Sequence, residues 1–196
     1  MRAALSSRCF ERVVVSTDGA EIAEAARAAG AEVPFMRPAA LAGPGTASTD
    51  VLRHVFETLG PVDRFALLQP TSPFRSAAHV REAAASWDAA TDALVSVTDA
   101  KPASWRFVME EGSGRLRRPR GADVAARRQD AAGHVVPNGA LYLCRHRAFA
   151  QAGSLFPDGA RGYPMGRIDS IDIDTLEDFQ MAEAVVSCGL RRWEDG

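Results

Sequence analysis

Phe65-Ala-Leu-Leu-Gln-Pro-Thr-Ser-Pro-Phe-Arg-Ser76 is the stretch whose reading decides the fold. Phe65 to Gln69 is a short apolar run of the kind found in buried strands. Pro70 stops it, because proline brings no N–H to a ladder. Pro73 stiffens the turn, and Ser76 is placed to cap a helix predicted through Ala90. Upstream the same order recurs. Arg12-Val-Val-Val-Ser-Thr17 is a β-branched run, and Asp18 with Glu21 has capping-box spacing for an Ala-rich helix closed by Gly30. Residues 32–35 predict a short second strand before Arg37-Pro38. Ser48 and Thr49 are candidate caps of a helix with Val51, Leu52, Val55, Phe56 and Leu59 on its apolar face. Downstream, residues 93–97, 140–144 and 170–174 predict strands, residues 105–114 a hairpin, and residues 117–137 an irregular Arg-, Pro- and Gly-rich excursion. An amphipathic helix is predicted from Thr175 to about Cys188. This alternation predicts an α/β domain: a mostly parallel sheet with helices on both faces.

The bulk properties narrow the class. A chain of 196 residues, 46% apolar and 24% charged, can bury a core as one domain. A formal charge of -2 excludes a nucleic-acid coat or an anionic-membrane binder, so neither nucleic acid nor membrane is an expected partner. Arg115, Arg117, Arg118 and Arg120 lack interleaved aromatics and read as a solvated loop, from which the Arg-Gln-Asp motif sets Arg128 apart. Cys9, Cys144 and Cys188 are an odd, scattered set, neither a disulfide framework nor a zinc spacing. Cys144 falls in mid-strand and reads as packing. The four histidines have no metal-ligand spacing, and no apolar run has the length of a membrane span. A soluble cytoplasmic protein is expected.

In open α/β sheets ligands sit beyond the carboxyl ends of the strands. That directs attention to Asp18, Arg37, the loop Gln69–Arg75, Asp172 and Asp174. The loop is rigid and polar, suited to reading hydroxyls and an anion, and equally suited to being a proline-stiffened connection. In a strand over Ser170-Ile-Asp-Ile-Asp174, Asp172 and Asp174 would share one face and the isoleucines the other. Paired carboxylates call for a cation, and hard oxygen ligands suit Mg2+ carrying phosphate oxygens. Asp174 has a competing use as the cap of the last helix, with Glu177 completing the box.

Seven segments, in order along nearly the whole chain, resemble acylneuraminate cytidylyltransferases, the enzymes that make CMP-sialic acids and related CMP-nonulosonic acids. They are Val13-Val-Val-Ser-Thr-Asp18 with Gly30-Ala-Glu-Val-Pro-Phe-Met-Arg-Pro38, Thr46-Ala-Ser-Thr49, Leu68-Gln-Pro-Thr-Ser-Pro-Phe-Arg75, Arg127-Arg-Gln-Asp130, Pro137-Asn-Gly-Ala-Leu-Tyr142, and Ser170-Ile-Asp-Ile-Asp-Thr175. The resemblance implies a doubly wound fold of the nucleotide-diphospho-sugar transferase type, with a dimerisation excursion at residues 105–165 and a homodimer. It implies transfer of CMP from CTP to the anomeric hydroxyl of a nonulosonic acid, with release of pyrophosphate. Arg37 and Ser48 would contact the nucleotide and Gln69 the sugar acid. Arg128 and Tyr142 would hold the nonulosonate, with Arg106 standing where the family has a lysine. Asp172 and Asp174 would bind Mg2+, and with Arg128 form the catalytic set. Relatives open with a strand and a Gly-rich, Lys/Arg-bearing phosphate loop. Met1 falls inside what would be the following helix, so the first strand and loop, roughly 30 residues or one βα unit, are expected to be missing. Two alternatives stand beside this reading. One is a non-catalytic remnant that dimerises or binds a sugar acid; the other is a related enzyme acting on 3-deoxy-octulosonate, against which the Gln-Pro-Thr-Ser-Pro and Arg-Arg-Gln-Asp segments argue.

Overall fold

A computed structural model describes residues 1–100, 108–109, 115–117 and 134–192. At its centre a four-stranded sheet runs in the order β1 (Arg64–Leu67), β5 (Val135–Arg145), β2 (Ala93–Asp99), β6 (Arg161–Pro164). β1, β2 and β6 point one way, and β5 lies antiparallel between β1 and β2. Three strands thus keep the shared direction that alternating strands and helices impose. β1 reaches β2 through helix α4 (Ala77–Ser86), a crossover that preserves direction. The path from β2 to β5 instead passes through β3 (Val108–Met109) and β4 (Leu116–Arg117), which pair antiparallel as the predicted hairpin requires.

Side chains alternate across the sheet and build a core on each face. Ala93, Val95, Tyr142 and Cys144 pack with Leu52, Phe149 and Leu155 from the layer of α3 (Ser48–Leu59) and α5 (His146–Ala152). Leu94, Leu141 and Leu143 face Val80 and Ala83 of α4 on the other side. Against α4 lies α1 (Arg2–Ser7). No helix among the described residues is long and apolar enough to cross a membrane.

Several local expectations change. Residues 12–17 and 32–35 do not form ladders; they meet in one parallel bridge, Val14 with Glu32. Val15 N–H donates to Glu32 O and Glu32 N–H to Val13 O, each at 2.8 Å. Pro34 has no N–H with which to extend the ladder, and the next bond comes from Arg37 N–H to Thr17 O. Helix α2 (Ala20–Ala28) is capped by Gly19, not Asp18, and Thr17 Oγ1 accepts the Gly19 N–H. Gly30, at φ +92°, ends it as predicted, with Ala31 N–H reaching back to Ala26 O. Ser48 is the first residue of α3, and Ala47 is its cap. Ser76 does cap α4, in a box completed by His79. That helix stops at Ser86, short of Ala90, because the Asp88 carboxylate captures the Ala90 N–H and Thr91 hydroxyl in a competing local turn.

Ser170–Asp174 is not a strand. The place parallel to β2 belongs to β6, Arg161-Gly-Tyr-Pro164, whose composition gave no strand signal. Of the span 105–165 expected as a dimerisation excursion, β5, α5 and β6 are parts of the main domain, while β3 and β4 form their own two-stranded ladder.

Candidate functional site

The turn after β1 is held from beneath by Arg75. Its guanidinium donates to Gln69 O and Ala140 O, both at 2.8 Å, so it ties the turn to β5. Burial pushes Arg75 down to about 10, which leaves it charged at neutral pH. Thr71 O accepts the N–H of Ile173 at 2.9 Å, so the acidic segment lies directly against the same turn. Position relative to the turn, rather than strand alternation, is therefore what brings Asp172 into the site.

The third component is an irregularity in β5. The β2–β5 register runs Val95 opposite Tyr142 and then Val97 opposite Pro137, so Ser96 alone faces the four residues from Asn138 to Leu141. Bulges of this kind re-aim side chains next to functional sites. Gly139 sits in the bulge at φ +77°. A β-carbon there would stand 2.5 Å from Gln69 Oε1 and 3.4 Å from Asp172 Oδ2. The carboxamide and the carboxylate thus converge over a bare stretch of backbone. Asp172 Oδ1 is buried and has no hydrogen-bond partner among the described residues. A buried carboxylate oxygen without a partner is costly unless something neutralises it.

Tyr142 is packed into the core at 8% exposure, its ring edge-on to Phe156. Burial, and after it the charge of Asp172, pushes its phenol upward, so the hydroxyl stays protonated at neutral pH. Asp174, two residues beyond Asp172, is exposed. The cap of α6 (Leu176–Ser187) is Thr175 with Asp178 in the box, not Asp174 with Glu177, so helix capping does not consume the Asp174 carboxylate. Among the described residues no three His, Cys, Asp or Glu side chains form a metal cluster. Mg2+ needs fewer protein ligands, since it keeps waters and takes substrate phosphate oxygens. The orphaned oxygen of Asp172, with Asp174 nearby in sequence, fits that demand.

Arg37 is anchored elsewhere: Nε donates to Ser16 Oγ at 3.2 Å and Nη2 to Ser16 O. No described hydrogen bond or ion pair joins Arg37 or Ser48 to the Gln69–Asp172 pair. Arg106 and Arg128, with the rest of the Arg-Arg-Gln-Asp segment, lie outside the described residues. Cys144 is fully buried, and its thiol is pushed up to about 11, so it is a packing residue with no thiolate at neutral pH. A cavity of about 580 Å3 abuts Pro70, residues 72–76, Arg191 and Met1 but includes neither Gln69 nor Asp172. Convergent polar groups, not this cavity, mark the candidate site. Sequence reasoning passed over Gly139 and Asn138. A glycine inside a strand pattern is the signal of a bulge that could have found them.

Comparisons with known proteins agree in kind. A family model described as "Cytidylyltransferase" matches residues 1–188. The chain is 30% identical to the N-acylneuraminate cytidylyltransferase of Escherichia coli over 93% of its own length and 43% of that protein's, so it spans less than half of that relative. It is 31% identical to the CMP-N,N'-diacetyllegionaminic acid synthase of Legionella pneumophila, over 94% of this chain and 82% of the relative. A solved structure of CMP:2-keto-3-deoxy-manno-octonic acid synthetase complexed with CTP superposes with a TM-score of 0.65. It covers 96% of this chain and 85% of its own at 16% identity, a likeness of fold.

Proposed function

The chain belongs to the cytidylyltransferase family, and from that premise we propose that it transfers CMP from CTP to the anomeric hydroxyl of a sialic-type nonulosonic acid, releasing pyrophosphate. The observation that carries this reading is the buried, unpartnered oxygen of Asp172 beside Gln69 over Gly139. The names of the relatives in Escherichia coli and Legionella pneumophila support the acceptor class.

In the reaction the anomeric hydroxyl gives up its proton to solvent as its oxygen forms a bond to the α-phosphorus, the bond from that phosphorus to the β-phosphate oxygen breaks, and pyrophosphate leaves. Positioning and charge neutralisation do most of the work in such transfers. Asp172 and Asp174 would hold Mg2+, which when bound supplies charge neutralisation at the phosphates. Gln69, aimed across Gly139, would donate to the acceptor's carboxylate and accept from its hydroxyl groups. Arg128 and Arg106 would balance the acceptor's carboxylate, and Arg37 and Ser48 would contact the nucleotide. Tyr142 keeps its proton at neutral pH and so serves as a hydrogen-bond donor, not as the base. The homodimer is proposed to use the β3–β4 ladder, whose Met109 and Leu116 side chains are exposed and apolar.

The test is release of pyrophosphate from CTP and Mg2+ with N-acetylneuraminate, legionaminate, pseudaminate and 3-deoxy-octulosonate as separate acceptors. Turnover with one of the first three is expected, and turnover with the octulosonate alone would overturn the acceptor class. Asp172→Asn should lower the rate roughly a hundredfold or more while the protein still melts cooperatively. An unchanged rate would remove Asp172 from the mechanism.

A further inference from the structure

We propose that Asn138 is a positioning residue that holds Asp172 opposite Gln69, acting through Ser170; this rests on the reading of Asp172 as a carboxylate of the reaction. The bulge in β5 is the starting point. Where four residues face one, the ladder cannot satisfy the backbone, and buried N–H groups must find side-chain partners. Here they do. Leu141 N–H donates to Ser96 Oγ at 2.8 Å, and Ala140 N–H donates to Asn138 Oδ1 at 3.2 Å. The Ser96 hydroxyl donates to the same Asn138 Oδ1 at 2.5 Å.

Two donors on Oδ1 fix which way the carboxamide faces. Its Nδ2 therefore points away from β2 and donates to Ser170 Oγ at 2.8 Å, with Met165 Sδ at 3.5 Å. The Ser170 hydroxyl in turn donates to Gly166 O at 2.7 Å. The donors run in one direction, from Ser96 to Asn138 to Ser170 to the Gly166 carbonyl, and each of the three side chains both donates and accepts. Such a chain is worth more intact than its members counted singly.

Its mechanical consequence falls on Asp172. The segment that carries this carboxylate is not in the sheet. On one side of Asp172 it is pinned by Ile173 N–H on Thr71 O, and on the other by Ser170 on Asn138. Without the second pin the nearest hold on that side is Asp169 on Arg191, three residues before Asp172, and the intervening backbone lets the carboxylate swing away from Gln69. Asn138 is 6% exposed and Ser96 fully buried, so neither is placed to touch substrate. Their influence passes through the residue they hold.

Asn138→Asp would bury a new carboxylate and risks unfolding, so Ser170→Ala is the informative change, with Ser170→Thr as the conservative control. Two readouts are needed: kcat and KM for CTP, and the chemical shift of the Asp172 carboxyl carbon, at one fixed neutral pH, in the protein without substrate. Ser170→Ala should lower kcat roughly tenfold or more, the scale for losing a group that orients a ligand residue. KM for CTP should stay near that of the parent protein, and the Asp172 carboxyl resonance should move as the carboxylate changes surroundings. Ser170→Thr should restore both. Parent-like kcat and an unmoved Asp172 resonance in Ser170→Ala would overturn the proposal, as would a loss that Ser170→Thr fails to restore. Should the parent protein turn over none of the acceptors, the catalytic reading of Asp172 fails. The resonance then decides positioning by itself: displacement by Ala with return by Thr upholds it, and an unmoved resonance ends it.

Discussion

A β-carbon added at Gly139 would meet Gln69 Oε1 at 2.5 Å, on a backbone already at φ +77°. Gly139→Ala therefore meets a steric and a conformational penalty together. Pyrophosphate release should fall roughly a hundredfold, the scale at which a displacement of about 1 Å acts on a reacting constellation. Stability should fall by more than ~1 kcal/mol. Steady-state assays and urea denaturation check the two separately, and a fully active alanine variant would show that Gln69 does not need this approach. At this scale the sequence announced the polar groups that converge over Gly139 but not those that bring them together. Gln69 and Asp172 were legible because an amide after a strand and paired acids are unusual in loops. Gly139, Ser96 and Asn138 were not, since their roles exist only once one residue of β2 faces four of β5.

Among the elements, the segment between β6 and α6 depends most on tertiary contacts. Asp169 anchors it through two hydrogen bonds from Arg191, at 2.6 and 2.8 Å. The Arg191 hydrogen bond, more than any other influence, holds the Asp169 carboxyl below the usual carboxylate range. A folded-state pKa below the unfolded one gives stability that is complete above the unfolded value and disappears as pH falls through the folded value. Asp169→Asn should thus melt below the parent protein at neutral pH, with the difference closing in acid; thermal melts across pH check this, and a difference that persists in acid would contradict the ion pair's role. The same contrast explains which elements were readable. Helix α4, with its Ser76 cap, and strands β1, β2 and β5 carry local signals that agree with their tertiary setting. Ile171 and Ile173 alternate as a strand would, yet sheet pairing went to β6, where glycine and proline argue against it. Pairing partners far away in sequence made that choice, and local propensity did not.

For the whole molecule, the exposed Met109 and Leu116 on the β3–β4 ladder give the proposed homodimer a checkable contact. Light scattering should report a dimer for the parent protein and a monomer for the double variant Met109→Glu, Leu116→Glu. A parent monomer, or an unaltered dimer in the variant, would refute that contact. The central place of the reversed strand β5 has an outcome of another sort. β1 and β2 are made early, yet each is hydrogen-bonded to β5, which comes off the ribosome much later. During that interval a nascent chain carries strands whose open edges invite pairing with a neighbour. Products of translation arrested before Val135 should therefore collect in inclusion bodies or on chaperones, while arrest after Arg145 leaves a chain able to close its own sheet around β5.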